Sequence, residues 1–346
     1  MQKNEYLGSR FNIRSHNPYT PCIMIKVGII GAGLIAQKMA ATLNAMHPSM
    51  NYAIASRDAD RARAFADQWH CAKSYGSYRE LVEDPEVDLV YVATPHSHHL
   101  PHASLAIEAG KPVLCEKAFT ANAREAEQLL NLAHKRGVFI TEAIWTRYMP
   151  MSKKIKDVIE SGIIGTPHIL NASLCYELHD KPRLHDMALC GGALMDVGVY
   201  TLNFARMYFG ADIERTVSTC IKGPSGVDEY NSISLIYRDG RMANLQSSAL
   251  CLCDRKGLIC GDKGYITVEN INNPEKITVW QDYRPVAEYH APASQLTGYE
   301  YEVQACEEAI ANGWLESPCM PHQETLDVMR QMDSLRAAWG LRYPMD

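Results

Sequence analysis

The chain has 346 residues, 47% of them hydrophobic and 21% charged, the balance of an ordinary globular protein long enough for two domains. A formal net charge of -6 argues against a general nucleic-acid binder, which would cluster Lys and Arg. No apolar stretch approaches the roughly 20 residues that span a bilayer, and nothing in the composition suggests low-complexity or repeat architecture.

Residues 1–23 carry Lys3, Arg10 and Arg14 without the apolar core of a signal peptide, so they read as a polar arm, with Met24 an alternative start. Residues 24–145 then alternate short apolar runs with helical stretches. Strands are expected at 25–30, 52–56, 89–94, 113–115 and 138–141, with a weaker one at 73–75. Runs apolar on both faces belong to a parallel sheet covered by helices. A helix over 122–137 is marked by the pair Asn122 and Glu125, the stripe Ala126, Leu129, Leu130 and Ala133, and the terminal Gly137. The expected fold class is α/β, with an N-terminal doubly wound Rossmann domain.

After Pro150 the pattern changes. A helix over about 152–161 leads to a strand over 169–178, and a helix follows at about 194–208. Alternating stretches then come at 213–221, 230–237, 242–248, 264–268 and 276–280, with a hairpin signal at Arg238-Asp239-Gly240-Arg241. Helices over about 298–312 and 322–339 close the chain. Residues 146–346 therefore read as an α+β domain with an open, mainly antiparallel sheet.

Gly31-Ala32-Gly33-Leu34-Ile35-Ala36 stands between the first strand and a helix. Such a corner lets backbone approach a diphosphate at the helix N-terminus, or is simply a tight turn. Strand two ends in Ser56 and Arg57, with Arg61 one turn on, where NAD-binding folds usually carry an acid for the ribose 2′-hydroxyl. A hydroxyl and two guanidiniums suit a 2′-phosphate and hence NADP; the alternative is that Arg57 and Arg61 pair with Asp58 or Asp60. Thr94-Pro95-His96-Ser97-His98-His99 and His102 follow strand four. His98 and His102 lack a third metal ligand, as do Cys251, Cys253 and Cys260 among the 11 scattered cysteines, so no metal and no disulfide framework is expected. Scattered reduced thiols suit a cytoplasmic protein. Glu116 and Lys117 end strand five, where charge is unusual; they form either a surface ion pair or a lysine held in the cleft. In Gly191-Gly192-Ala193-Leu194-Met195-Asp196-Val197-Gly198-Val199-Tyr200, Asp196 and Tyr200 share a helix face, as a proton-handling pair or as a cap and a core residue.

The glycine corner, Glu116-Lys117 and Gly-Gly-x-x-x-Asp-x-Gly-x-Tyr resemble the glucose-fructose oxidoreductase / inositol dehydrogenase / MocA superfamily of nicotinamide-dependent oxidoreductases. Cys115-Glu116-Lys117, 142–148, 191–200 and Leu341-Arg342-Tyr343-Pro344 look most like its dimeric dihydrodiol dehydrogenase / NADP-dependent D-xylose 1-dehydrogenase branch. The resemblance spans about 25–344.

It implies that Gly31, Gly33, Leu34, Ile35 and Ala36 hold the pyrophosphate and that Ser56, Arg57 and Arg61 hold the 2′-phosphate of NADP(H). Thr94, Pro95, His96, His99, Glu116, Lys117, Trp145 and Arg147 would line the rest of the cofactor site. Lys117, Asp196 and Tyr200 would be the catalytic group, and they would meet the substrate together with Trp145. The family's Glu-Lys-Pro reads Glu116-Lys117-Ala118 here, and Tyr200 stands where many members carry histidine. A phenol with an ordinary pKa near 10 needs help, so the expectation is that the Lys117 ammonium makes it more acidic.

The implied activity is hydride transfer between nicotinamide and a carbinol carbon of a small cyclic polyol, aldose or dihydrodiol. The loop 179–187 would shape the pocket, and the partner would be a second copy across the antiparallel sheet. Two other classes fit the same residues: a glycosidase of this superfamily that retains its nicotinamide, and a non-catalytic NADP-binding sensor.

Overall fold

The computed structural model describes residues 24–346; the polar arm expected over 1–23 lies outside the described residues. In the first lobe, β1 (Val27–Ile30), β2 (Asn51–Ala55), β3 (Lys73–Tyr75), β4 (Leu89–Val92), β5 (Val113–Glu116) and β6 (Ile140–Ala143) form one parallel sheet in the order β3-β2-β1-β4-β5-β6. Every residue of β1, β4 and β5 is buried, because helices cover both faces. Those helices are α1 (Leu34–Met46), α2 (Ala59–Trp69), α3 (Tyr78–Glu83), α4 (His99–Glu108) and α5 (Ala123–Arg136). The order reverses between β1 and β4, so the carboxyl ends of these two strands frame the ligand crevice.

Helix α5 shows how the local signals work. Asn122 accepts the Glu125 N–H at 2.9 Å, Glu125 accepts from Ala121 rather than from Asn122, and Gly137 at φ 64° ends the helix. The predicted stripe is buried, and the helix packs between α4 and the last helix of the chain, His322–Ala338.

The second lobe begins with α6 (Pro150–Glu160). An eight-stranded sheet follows, made of β7 (Pro167–Cys175), β8 (Ile213–Lys222), β9 (Asp228–Tyr237), β10 (Met242–Ser248), β11 (Gly257–Gly261), β12 (Tyr265–Glu269), β13 (Lys276–Gln281) and β14 (Arg284–His290). All neighbours run antiparallel except β7 and β10. Helix α7 (Val199–Phe209) packs on the inner face. Its predicted first turn, Leu194–Gly198, is instead wound as a π-helix, a widening often found at functional sites. The run Met187–Phe209 also corrects the expectation of no long apolar stretch: it spans 23 residues, with 83% of its apolar window buried inside the protein. Helices α8 (Glu300–Asn312) and α9 (His322–Ala338) return to the first lobe, α8 against α1 and α9 against α5.

Strands β11 and β14 escaped the sequence reading. Glycines bound the five residues of β11, and Pro285 with mostly exposed neighbours hides β14 at the sheet edge.

Candidate active site

The cofactor corner is built where β1 turns into α1. Gly31 adopts φ 99°, and a Cβ there would lie 3.0 Å from the Ala93 carbonyl oxygen, so only glycine is unstrained. Gly33 precedes α1 without a side-chain cap, and the first turn holds no acid. The added Cβ would meet only the Ala93 oxygen, at 4.0 Å. This leaves the first-turn N–H groups of Leu34, Ile35 and Ala36 without a capping side chain, and the missing Cβ leaves the room a diphosphate needs. Leu34 is exposed and Ala36 is packed beneath.

Across the corner, Arg61 on α2 donates Nη2 to the Ala32 carbonyl at 2.8 Å. Ser56 is buried at the end of β2 and accepts the Asp58 N–H at 3.3 Å, while Asp58 caps α2 through the Asp60 and Arg61 N–H groups. Asp60 faces Arg63. Among the described residues neither Arg57 nor Arg61 forms an ion pair, so the alternative of a solvated Arg–Asp pair is not what the fold adopts.

The second corner lies between the lobes. Lys117, just past the carboxyl end of β5, donates Nζ to the Asp196 carbonyl at 2.7 Å and to Asp196 Oδ1 at 3.2 Å, and sits 5.2 Å from the centre of the Tyr200 ring. The change to Ala118 therefore does not turn the lysine away. Asp196 lies in the π-turn and is 6% exposed; burial alone would raise its pKa, but Lys117 and Arg183 outweigh it and hold the carboxyl well below its usual range. Asp228 anchors the turn, accepting the Leu194 N–H at 2.8 Å, and a Cβ on Gly192 would fall 2.3 Å from its other oxygen. His96 Nδ1 meets the Cys190 carbonyl at 3.0 Å, which fixes the proton on that nitrogen and ties the β4 loop to the second lobe. Burial, then His99 and Lys117, push this imidazole down to about 3. Tyr343 of the Leu-Arg-Tyr-Pro motif donates its hydroxyl to the Gly191 carbonyl, so the C-terminal motif clamps the Gly-Gly turn.

Several expectations are corrected. Tyr200 is not made more acidic: burial first, then Tyr299, Glu116, Asp196 and Glu302, push its phenol well above 10, while the Lys117 ammonium lies on Asp196. His99 is fully buried, with Nε2 at 2.7 Å from the Thr94 carbonyl and Nδ1 at 3.0 Å from that of Ala118. It braces the Thr94-Pro95 loop rather than meeting a ligand. Burial holds it down to about 4 against the pull of those carbonyls. Thr94 spends its hydroxyl on His102 at 3.0 Å.

Arg147 is committed elsewhere, to Asn203 at 2.6 Å and to Glu324 at 2.8 Å, where Glu324 also receives Arg206. It is a structural charge, not a cofactor contact. Trp145 is 7% exposed and stacked on Tyr299 at 4.2 Å, so the expected substrate wall is largely covered. Glu116 accepts from Tyr91 and from the Lys117 N–H, and burial raises its pKa.

Sequence reading missed Arg183, whose Nη2 reaches Asp196 Oδ1 at 3.0 Å and Oδ2 at 3.2 Å. Its only signal was membership of the loop 179–187. It also missed Glu302 and Glu142, fully buried acids whose oxygens have no hydrogen-bond partner and whose pKa burial raises, that of Glu142 to about 7. An acid inside an apolar helix or strand was the signal available.

Residues 25–143 match the model of the oxidoreductase family with an NAD-binding Rossmann fold, and residues 152–267 match the GFO/IDH/MocA C-terminal domain. Trans-1,2-dihydrobenzene-1,2-diol dehydrogenase of Mus musculus is 32% identical over 329 residues, 93% of this chain and 99% of the relative. The Xenopus tropicalis enzyme of that name is 33% identical over 330 residues, 92% and 99% of the two chains. A 3-ketoreductase from Actinomadura kijaniata, solved with NADP and TDP-benzene, is 25% identical with a TM-score of 0.82 over 90% of this chain and 97% of its own. An aldose-aldose oxidoreductase from Caulobacter crescentus shares the fold at 22% identity and a TM-score of 0.82, covering 91% and 97%. The chain belongs to the GFO/IDH/MocA family of oxidoreductases.

Proposed function

We propose that this protein is an NADP(H)-dependent dehydrogenase or reductase acting on the CH–OH group of a small cyclic polyol, aldose or dihydrodiol. The observation that carries this reading is the meeting of Lys117, Asp196 and Tyr200, from opposite lobes, beyond the carboxyl ends of β4 and β5. When bound, the nicotinamide supplies or accepts the hydride. Gly31, Gly33 and the α1 N-terminus would hold its diphosphate, and Ser56, Arg57 and Arg61 its 2′-phosphate. The exposed guanidiniums at the end of β2 favour NADP over NAD.

Tyr200 keeps its proton at neutral pH, so it is set to donate to an oxygen that gains charge as a ketone is reduced. Lys117 holds a cationic N–H beside the same place and stabilises that oxygen. Asp196 fixes the ammonium in position. In oxidation the phenol must first lose its proton to solvent; the phenolate then takes the substrate's hydroxyl proton, which restores the phenol. The trans-dihydrodiol dehydrogenases noted above support a small hydroxylated ring as substrate, and the NADP-bound ketoreductase supports NADP as cofactor.

A homodimer belongs to the same proposal, because the outer face of the second sheet exposes Ile169, Val217, Ile221, Tyr230 and Met242 together. Light scattering coupled to gel filtration checks it.

The deciding experiment offers NADP and, separately, NAD with a panel of aldoses, cyclic polyols and trans-dihydrodiols, and follows the reduced nicotinamide absorbance. Turnover with at least one ring substrate and preference for NADP are expected. NADP binding with no turnover points to a sensor, and release of an aglycone without net reduction points to a glycosidase; either overturns the proposal.

A further inference from the structure

Asp196 is asked to neutralise two cations. Lys117 reaches its Oδ1, and Arg183 reaches both oxygens through one nitrogen, Nη2. Among the described residues the Nε and Nη1 donors of Arg183 have no hydrogen-bond partner, and the side chain is 47% exposed. Asp180 is paired with Lys181 at 2.7 Å, and Asp186 is engaged with the Ala188 N–H. Two cations thus share the one carboxylate of Asp196, and one edge of the Arg183 guanidinium is left without a protein partner.

Arg183 is also firmly seated. Leu184 beside it is 1% exposed, and a Cβ on Gly191 would stand 2.5 Å from the Leu184 carbonyl oxygen and 2.7 Å from that of Arg183. Glycine is thus what lets the loop lie against the turn that carries Asp196. Tyr343 and His96 hold the carbonyls of Gly191 and Cys190 from the other side. A guanidinium on a seated backbone, with one edge on a protein carboxylate and the other edge free, is suited to a second carboxylate in the plane of its fork.

We propose that the cleft takes a substrate bearing a carboxylate near the reacting carbinol, a sugar acid or related hydroxy acid, and that Arg183 is the residue that reads it. The inference rests on the dehydrogenase reading above. A carboxylate presents two coplanar oxygens that the free edge of the fork can take. A neutral polyol leaves the free edge of Arg183 without a partner.

The test uses the intact protein loaded with NADPH for binding, by fluorescence quenching, and with NADP for turnover. Matched ligands are D-gluconate against D-glucitol, D-galacturonate against D-galactose, and 6-phosphogluconate as the phosphate arm. We expect the carboxylate member of at least one pair to be favoured tenfold or more. Arg183→Met should collapse that ratio towards one, and Arg183→Lys should retain part of it, with NADPH binding showing that both variants are folded. Equal losses for charged and neutral members in Arg183→Met would overturn the proposal, since Arg183 would then only support Asp196. Stronger binding of the phosphate that Arg183→Met abolishes would overturn the assigned ligand class. Turnover of neutral rings with no carboxylate preference retires the carboxylate site and leaves the dehydrogenase reading standing. Arg183-dependent quenching by carboxylates without turnover of anything retires the dehydrogenase reading and leaves the site.

Discussion

At the first βα corner the groups that matter are close in sequence and open to water: Gly31, Gly33, Arg57 and Arg61 surround one helix end, and both arginines are exposed. At the junction, Lys117, Arg183, the pair Asp196 and Tyr200, and Tyr343 arrive from four separate segments, and their charges are mostly buried and shared. The first corner can hold a ligand by fixed partial charges and adaptable side chains. The second can handle a proton, because in a dry setting one added or removed charge changes every neighbour. The contrast predicts that the cofactor corner responds to salt and the junction responds to pH.

The largest effect should come from the junction. Lys117→Met removes the cation beside the reacting oxygen and leaves Asp196 with Arg183 alone. We expect turnover to fall on the order of a thousandfold, measured at saturating substrate with NADPH titration verifying that the cofactor still binds. Retained turnover would place the chemistry elsewhere.

Next comes pH. Glu142 in β6 is 1% exposed, and neither carboxyl oxygen finds a donor; Thr325 and the Phe119 backbone are its polar neighbours. Its folded pKa, raised by burial from 4.5 to about 7, means that the native state holds the proton more tightly than the unfolded chain. This favours folding below about pH 4.5 and is lost as pH rises to about 7, a swing of about 3 kcal/mol. Denaturant titrations from pH 4.5 to 8 should show wild type losing this amount relative to Glu142→Gln. Parallel curves would mean that the acid finds a partner.

The cofactor corner should give a smaller, salt-dependent effect. Replacing both Arg57 and Arg61 by Ala should weaken NADPH binding roughly tenfold or more at low salt, scarcely change NADH binding, and lose much of its effect at high ionic strength. Equal weakening of both cofactors would mean that the arginines do not read the 2′-phosphate.

The same division explains what could be read before the fold was known. The glycine corner, the parallel strands, α5 and the hairpin at Gly240 are local: each follows from a few adjacent residues with fixed backbone needs. Lys117 was legible as an unusual charge at a strand end, whereas Asp196 and Tyr200 stood out only through the family resemblance, and the way the three share charge was not legible at all. The sign of the Tyr200 shift depended on burial first, then on Tyr299, Glu116, Asp196 and Glu302 around it. Arg147 was a plausible cation beside Trp145 until α9 supplied Glu324 to hold it. Arg183 lay in a loop whose position depends on Gly191 and Tyr343, both distant in sequence from the strand that carries Lys117.

The central claim is that a lysine of one lobe and a tyrosine of the other act as one proton-handling unit, and a double-mutant cycle on kcat/KM with Lys117→Met and Tyr200→Phe tests it most directly. The account predicts that Tyr200→Phe alone costs on the order of a hundredfold and that the double variant is scarcely worse than Lys117→Met. Losses that simply multiply would contradict it.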